Sequence, residues 1–294
     1  MEVVRPDDAS SFLGLARPLL ERDEARNQLV LAIASTLTLH PDAYEIVHYW
    51  IALDAGRPMG AALRTEPHDL VLGDPTSDQA FEALLESVTD DDPGVPGVVG
   101  NMPWVERAAA ALAAAIGRRP DTILWQGVHA LTSVADDLPR ASGAPRTAGE
   151  ADRDLIVRWL RAFLEEAVPE PETFLASLEN TVRTRLDSGS SAGYWFWEDG
   201  GEPVAVSGFS GPSSTGIRVG PVYTPPEHRR CGYATSLVAE QSRWLLTRGH
   251  HACFLFTDLS NPTSNAIYAR IGYRQMCESR VFRFRGWEES RARR

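Results

Sequence analysis

Apolar residues recur at helical spacing over Ser10–Glu21 and Glu24–Thr38, after an opening strand predicted in "MEVVRP". Short, mostly apolar runs at Glu45–Asp54, Pro58–Arg64 and His68–Leu72 predict strands. A helix at Asp78–Ser87, a strand at Gly97–Gly100, a helix over "ERAAAALAAAIG" and late strands over "TILWQGVHALTSV" complete the series. The stretch from Asp136 to Asp152, "DDLPRASGAPRTAGEAD", has Pro, Gly and charge without an apolar period and reads as a linker. Beyond it the order recurs. Helices fit Arg153–Glu166 and Pro171–Leu186, and strands fit "GYWFWED", "EPVAVSGFS" and "GIRVGPVYT". A helix at Ala234–Thr247, a strand at Ala252–Thr257, a helix at Pro262–Ile271 and a strand at Val281–Arg285 follow. Short strands broken by helices predict an α/β fold with a mixed α+β sheet. The repeated order suggests a tandem duplication, divided here as residues 1–135, a linker at 136–152, and 153–294.

Composition is that of an ordinary globular chain: 294 residues, 43% hydrophobic and 23% charged. The net charge of -11 argues against a nucleic-acid partner, whose footprint would be basic. It is mildly compatible with a cationic or amine substrate, though most surface acid simply keeps a protein in solution. The longest apolar stretch, Leu29–Leu39, is too short to span a bilayer, and no signal peptide opens the chain, so the expected location is cytoplasmic. Cys231, Cys253 and Cys277 form neither a disulfide framework nor a zinc spacing, and no metal is expected. A homodimer is left open.

The segment "PPEHRRCGYATSLVAEQ", from Pro225 to Gln241, sets two arginines and a glycine at the mouth of a predicted helix. A helix N-terminus offers unpaired N–H groups and the positive end of the macrodipole. Gly232 admits turns closed to other residues and a close ligand approach. Arg229 and Arg230 bring forked donors suited to phosphate. The pattern describes a pyrophosphate cradle, or an ordinary turn with solvated arginines. No Gly-Lys-Ser/Thr follows, and "RRCGYA" has one glycine, so it is neither a Walker loop nor a dinucleotide fingerprint.

The segment resembles the acyl-CoA loop of the GNAT family of N-acetyltransferases, Gln/Arg-x-x-Gly-x-Gly/Ala, with Arg229, Gly232 and Ala234 at its defined positions. A second motif, "DLSNPTSNAIYARIGY", is similar to that family's later helix, with Asn261 as N-cap, Pro262 at the first helical position and Gly272 as the stop. The resemblance covers the chain from about Ala151. It implies acetyl-CoA as co-substrate and an amine-bearing acceptor as partner. It also implies a cradle of Arg229, Arg230, Cys231, Gly232, Tyr233 and Ala234, and backbone contacts from Val222, Tyr223 and Thr224. Asn261 and Asn265 would meet the pantetheine arm, and Tyr268 would face the CoA sulfur as the catalytic acid. Longer-chain, FR47-type acyl donors fit the same pattern, as does a CoA-binding regulatory module without turnover.

At the matching junction the first half reads "VLGDPTSDQAF", with Asp74 and Asp78 in place of arginines and Pro75 deleting a donor. It resembles a GNAT fold in element order only, and no CoA site is expected there. A general base is missing from "GIRVGPVYT"; Glu198, Glu202 and Glu227 are nearby acids with a solvated alternative. Cys231 as a nucleophile lacks a His/Asp partner. "YWFW" is either an acceptor wall or core. His250 and His251, at a turn, are expected to face water.

Overall fold

In the computed structural model, which describes residues 1–286, the order of elements recurs in the two halves, with an unpredicted strand at Ala144–Thr147 inside the stretch read as a linker. The first series is β1 (Glu2–Val4), α1 (Ala9–Leu20), α2 (Glu24–Leu39), β2 (Val47–Asp54), β3 (Arg57–Thr65), β4 (Leu70–Leu72), α3 (Asp78–Asp91), β5 (Gly97–Asn101), α4 (Trp104–Ala115) and β6 (Arg119–Leu131). The second is β7 (Ala144–Thr147), α5 (Arg153–Ala167), α6 (Glu172–Asp187), β8 (Gly193–Asp199), β9 (Glu202–Ser210), β10 (Gly216–Tyr223), α7 (Tyr233–Thr247), β11 (Ala252–Asp258), α8 (Pro262–Ile271) and β12 (Arg274–Arg285). Pairing repeats as well as order. β1 to β4 form an antiparallel run that ends on β4 parallel to β5, and β7 to β10 form one that ends on β10 parallel to β11.

The chain sorts into two compact units whose limits differ from the sequence division. The first comprises Met1–Gly127 and the described residues from Cys277 on; the second is Val128–Met276. The predicted 136–152 linker is part of the second unit. There β7 pairs with β8, Arg146 binds both Asp152 and Glu198, and Trp197 Nε1 donates to the Ser142 carbonyl at 2.7 Å. Pro145 is tolerated because an edge strand has one row of unpaired N–H groups. The late strands predicted over 122–134 are one strand, β6. The short strand predicted at Val281–Arg285 is the end of β12, whose partner is β5, from Ser279↔Asn101 to Arg283↔Gly97. Residues 287–294, assigned above to the second domain, lie outside the described residues.

Each unit has two apolar layers, because strand alternation supplies an apolar side chain to both faces. In the first unit α1 and α2 cover Ile51, Leu63 and Val71 with Phe12, Leu20 and Leu31, while Leu84, Val88 and Leu112 of α3 and α4 cover Trp50, Leu70 and Val98. In the second, α7 and α8 pack on Trp195, Trp197, Ile217, Val219 and Leu255, and α5 and α6 pack on Tyr194, Phe196 and Val206. All four aromatics of "YWFW" are therefore core, at about 1.5–3 kcal/mol each for full burial of a large apolar side chain.

Candidate active site

The site begins where the second sheet comes apart. β10 pairs in parallel with β11 only over Gly216–Arg218, and from Val219 onward it follows β9 alone. A bulge between Val219 and Val222 shifts its register against β9. Gly220 supplies that bend with φ +133°, and Arg185 Nη1 on α6 donates to its carbonyl at 3.1 Å. The freed edge of Val222, Tyr223 and Thr224 faces a gap on the β11 side. Thr224 Oγ1 is buried without a hydrogen-bond partner at the strand exit.

A 3-10 turn, Pro226–His228, then leads to the mouth of α7. Arg230 has φ +67°, a conformation worth roughly 1–2 kcal/mol of strain for a residue with a β-carbon. Gly232 follows as the helix N-cap at φ +84°, with no side chain over the first turn. The two arginines part company here. Arg229 is held by the Thr224 carbonyl at 2.9 Å and by Glu166 at 2.7 Å, and Glu166 raises its pKa. Arg230 is exposed and makes no hydrogen bond or ion pair among the described residues, so it is the uncommitted cation of the loop. Cys231 is exposed, its thiol resting on the Arg229 carbonyl at 3.6 Å, with no imidazole beside it. The Tyr233 hydroxyl donates to Asp199 Oδ2, which raises the tyrosine pKa, and Ala234 is half-buried in the first turn.

Across the gap stands α8. Asn261 caps it, accepting from the Ser264 N–H at 3.1 Å. Asn265 donates Nδ2 to the carbonyls of Asp258 and Leu259, which leaves its Oδ1 buried and unpaired. Its amide thus fixes the loop and presents only an acceptor. Tyr268 lies against the second core, 6.0 Å from the Tyr273 ring centroid, and burial pushes its pKa up to about 12. Its hydroxyl has no partner among the described residues.

Of the acids considered as a base, Glu198 is paired with Arg146, and Glu202 and Glu227 are exposed. His251 is exposed as expected, whereas His250 is half-buried and burial lowers its pKa. No group of three or more His, Cys, Asp or Glu side chains that could hold a metal occurs among the described residues. No described helix is long and apolar enough to cross a membrane.

Residues 154–273 match the Acetyltransferase (GNAT) family. The second unit is a GNAT domain. Membership implies acyl transfer from an acyl-CoA to an amine. Similar solved structures extend the likeness to the whole chain. A Drosophila protein shares 13% identity at a TM-score of 0.67, over 96% of this chain and 98% of its own. A tandem GNAT protein from the clavulanic acid biosynthesis pathway shares 13% at 0.56, over 97% and 98%. A GCN5-related N-acetyltransferase from Sphaerobacter thermophilus shares 16% at 0.56, over 96% and 95%. At such identities the likeness is one of fold, and the fold is a tandem GNAT. No curated protein sequence matches significantly.

The first, GNAT-like unit differs at the equivalent junction. Ser77 caps α3 by accepting from the Ala80 N–H at 3.2 Å, so this helix mouth is closed by its own chain. Asp74 is bound by Arg26 and by Asn101 Nδ2, and Asp78 by Arg107. Sequence reading found the GNAT motifs of the second unit but missed the Thr224 hydroxyl and Arg185. Arg185 meets Gly220 across 35 residues, and the one local signal was a Gly-Pro pair inside a predicted strand.

Proposed function

We propose that the protein transfers the acetyl group of acetyl-CoA to a primary amine by direct attack, using a single acyl-CoA site in the second unit. The observation that carries this reading is the β10–β11 gap flanked by an uncapped helix mouth on one side and the Tyr268 hydroxyl on the other. The orphaned buried acceptors Thr224 Oγ1 and Asn265 Oδ1 suit the amide groups of a pantetheine arm. Gly232, Tyr233 and Ala234 would offer N–H groups to the pyrophosphate, with Arg230 adding charge and Arg229 shaping the loop.

The amine lone pair attacks the thioester carbonyl carbon, the C–S bond breaks, and Tyr268 gives its proton to the departing thiolate. Freed backbone of Val222 to Thr224 aligns the donor and polarises the carbonyl. β10 carries no carboxylate, so the proton that the nitrogen sheds after the neutral amine has attacked leaves to water, and water returns a proton to Tyr268.

Two results test the reading. Free thiol should appear when acetyl-CoA meets a broad panel of amines; hydrolysis at background rate only would favour a CoA-binding module without turnover. Calorimetry or native mass spectrometry should find one acetyl-CoA per chain, because Ser77, Arg26 and Arg107 already occupy the corresponding groups of the first unit. Two equivalent sites would end the single-site assignment. Gly232→Val is expected to add roughly 1–2 kcal/mol of strain at φ +84° and to block the cradle. Unchanged acetyl-CoA affinity in that variant would remove the cradle from the site.

A further inference from the structure

On the face of the second unit's sheet opposite α7 and α8, Arg218 of β10, which this chemistry does not use, neighbours Arg185 of α6. Alternation along β10 turns Ile217 and Val219 into the α7–α8 core and puts Arg218 on the other face. The guanidinium of Arg218 lies 4.9 Å from the Phe256 ring centroid and makes no hydrogen bond or ion pair among the described residues. Burial first, and nearby Arg185 as a second cation, together lower its pKa to about 10. Arg185 stands 5.7 Å from the Tyr194 ring centroid. A β-carbon at Gly208 would be 3.1 Å from both Arg185 Nη1 and Tyr194 Cε1, so the missing side chain leaves room for that approach. The Tyr194 hydroxyl is buried without a partner.

Two neighbouring, half-buried guanidinium groups with no ion pair among the described residues are unfavourable unless something anionic visits. Their position says what. β10 leaves β11 immediately after Arg218, so the pair borders the gap in which the thioester carbonyl would lie. We propose that Arg218 and Arg185 receive an oxyanion of the acceptor, making the acceptor an amine that also bears a carboxylate, as an amino acid does. A planar guanidinium fork matches a carboxylate in bidentate fashion, and the Tyr194 hydroxyl is a third donor. This inference rests on the acyl-transfer reading for where the amine sits. Phosphonate-bearing amines offer the same oxyanion chemistry, and the test separates them.

The whole protein, saturated with CoA, is titrated by calorimetry with glycine, alanine and glutamate, with their α-amides, and with 2-aminoethylphosphonate. The same amines are then run with acetyl-CoA and thiol detection. The amino acids should bind about 10-fold or more tighter than the amides, as expected for hydrogen bonds to a charged group. Arg218→Gln should bring the two within about 2-fold at unchanged acetyl-CoA affinity, Arg218→Lys should restore part of the difference, and Arg218→Met should raise Tm. Equal binding of acids and amides by the wild type overturns the proposal, as does discrimination that survives Arg218→Gln. Tighter binding of the phosphonate overturns the carboxylate assignment. Discrimination in binding without thiol release leaves the oxyanion site standing and sinks acetyl transfer. Equal release from acids and amides does the reverse.

Discussion

Tyr268→Phe is expected to lower turnover by about 10²–10⁴, the usual range for a positioned acid, while acetyl-CoA affinity stays within a few fold. Loss of one hydroxyl contact is worth only about 1 kcal/mol in binding, so the two readouts separate. The hydroxyl has no competing protein partner, and burial holds its pKa near 12, about two pH units above the ordinary tyrosine value. Its proton is therefore present throughout the neutral range. Turnover should rise with pH as the acceptor amine deprotonates, with no fall from Tyr268 until well above pH 10. Single-turnover kinetics on the variant decide the matter. Full rate where chemistry is limiting would take the acid role from Tyr268.

Asp92→Ala is expected to destabilise the first unit by about 3–5 kcal/mol. Its carboxylate binds Arg64, and the two side chains are only 8% and 7% exposed. Arg64 Nε also donates to the His68 carbonyl at 2.8 Å, and Glu66 lies 3.6 Å from Nη1, which places the loss towards the lower end. Removing the acid leaves a cation in the interior, whereas replacing both partners by apolar side chains does not. Arg64→Met with Asp92→Leu should thus recover most of the stability. Hydrogen exchange of β3 amides reads the first unit alone. A loss under about 1 kcal/mol for Asp92→Ala would mean the pair is solvated.

The helices were legible because their signals are local. The Asn261–Pro262 cap and the Gly272 stop fix α8 to the residue, and the period of 3.6 fixes the rest. The α7 mouth was legible for the same reason, as were the acids Asp74 and Asp78 at the matching junction of the first unit. Partnership was not. β12 reads as a strand from its own residues, but nothing in "VFRFR" says that its neighbour is β5, some 180 residues earlier. β7 was hidden by a composition that suits a flexible linker and an edge strand equally. The Arg185–Arg218 pair joins a helix and a strand whose shared face is set only by tertiary packing. Asn265 was found by its spacing, yet which of its amide atoms remains available is a hydrogen-bond question that spacing does not answer.

The placement of β12 also bears on how the protein is made. Domains generally fold as they leave the ribosome, N-terminal first. Here the strand that pairs with β5 is translated some 180 residues after it. At 5–20 residues per second, the chain between Asn101 and Cys277 takes roughly 10–35 s to synthesise. Throughout that interval Val98 and Val99 lie on an open strand edge, the kind of template that invites pairing with another chain. A premature stop just after Met276 would therefore strip β5 of its β12 partner in the N-terminal unit while leaving Val128–Met276 whole.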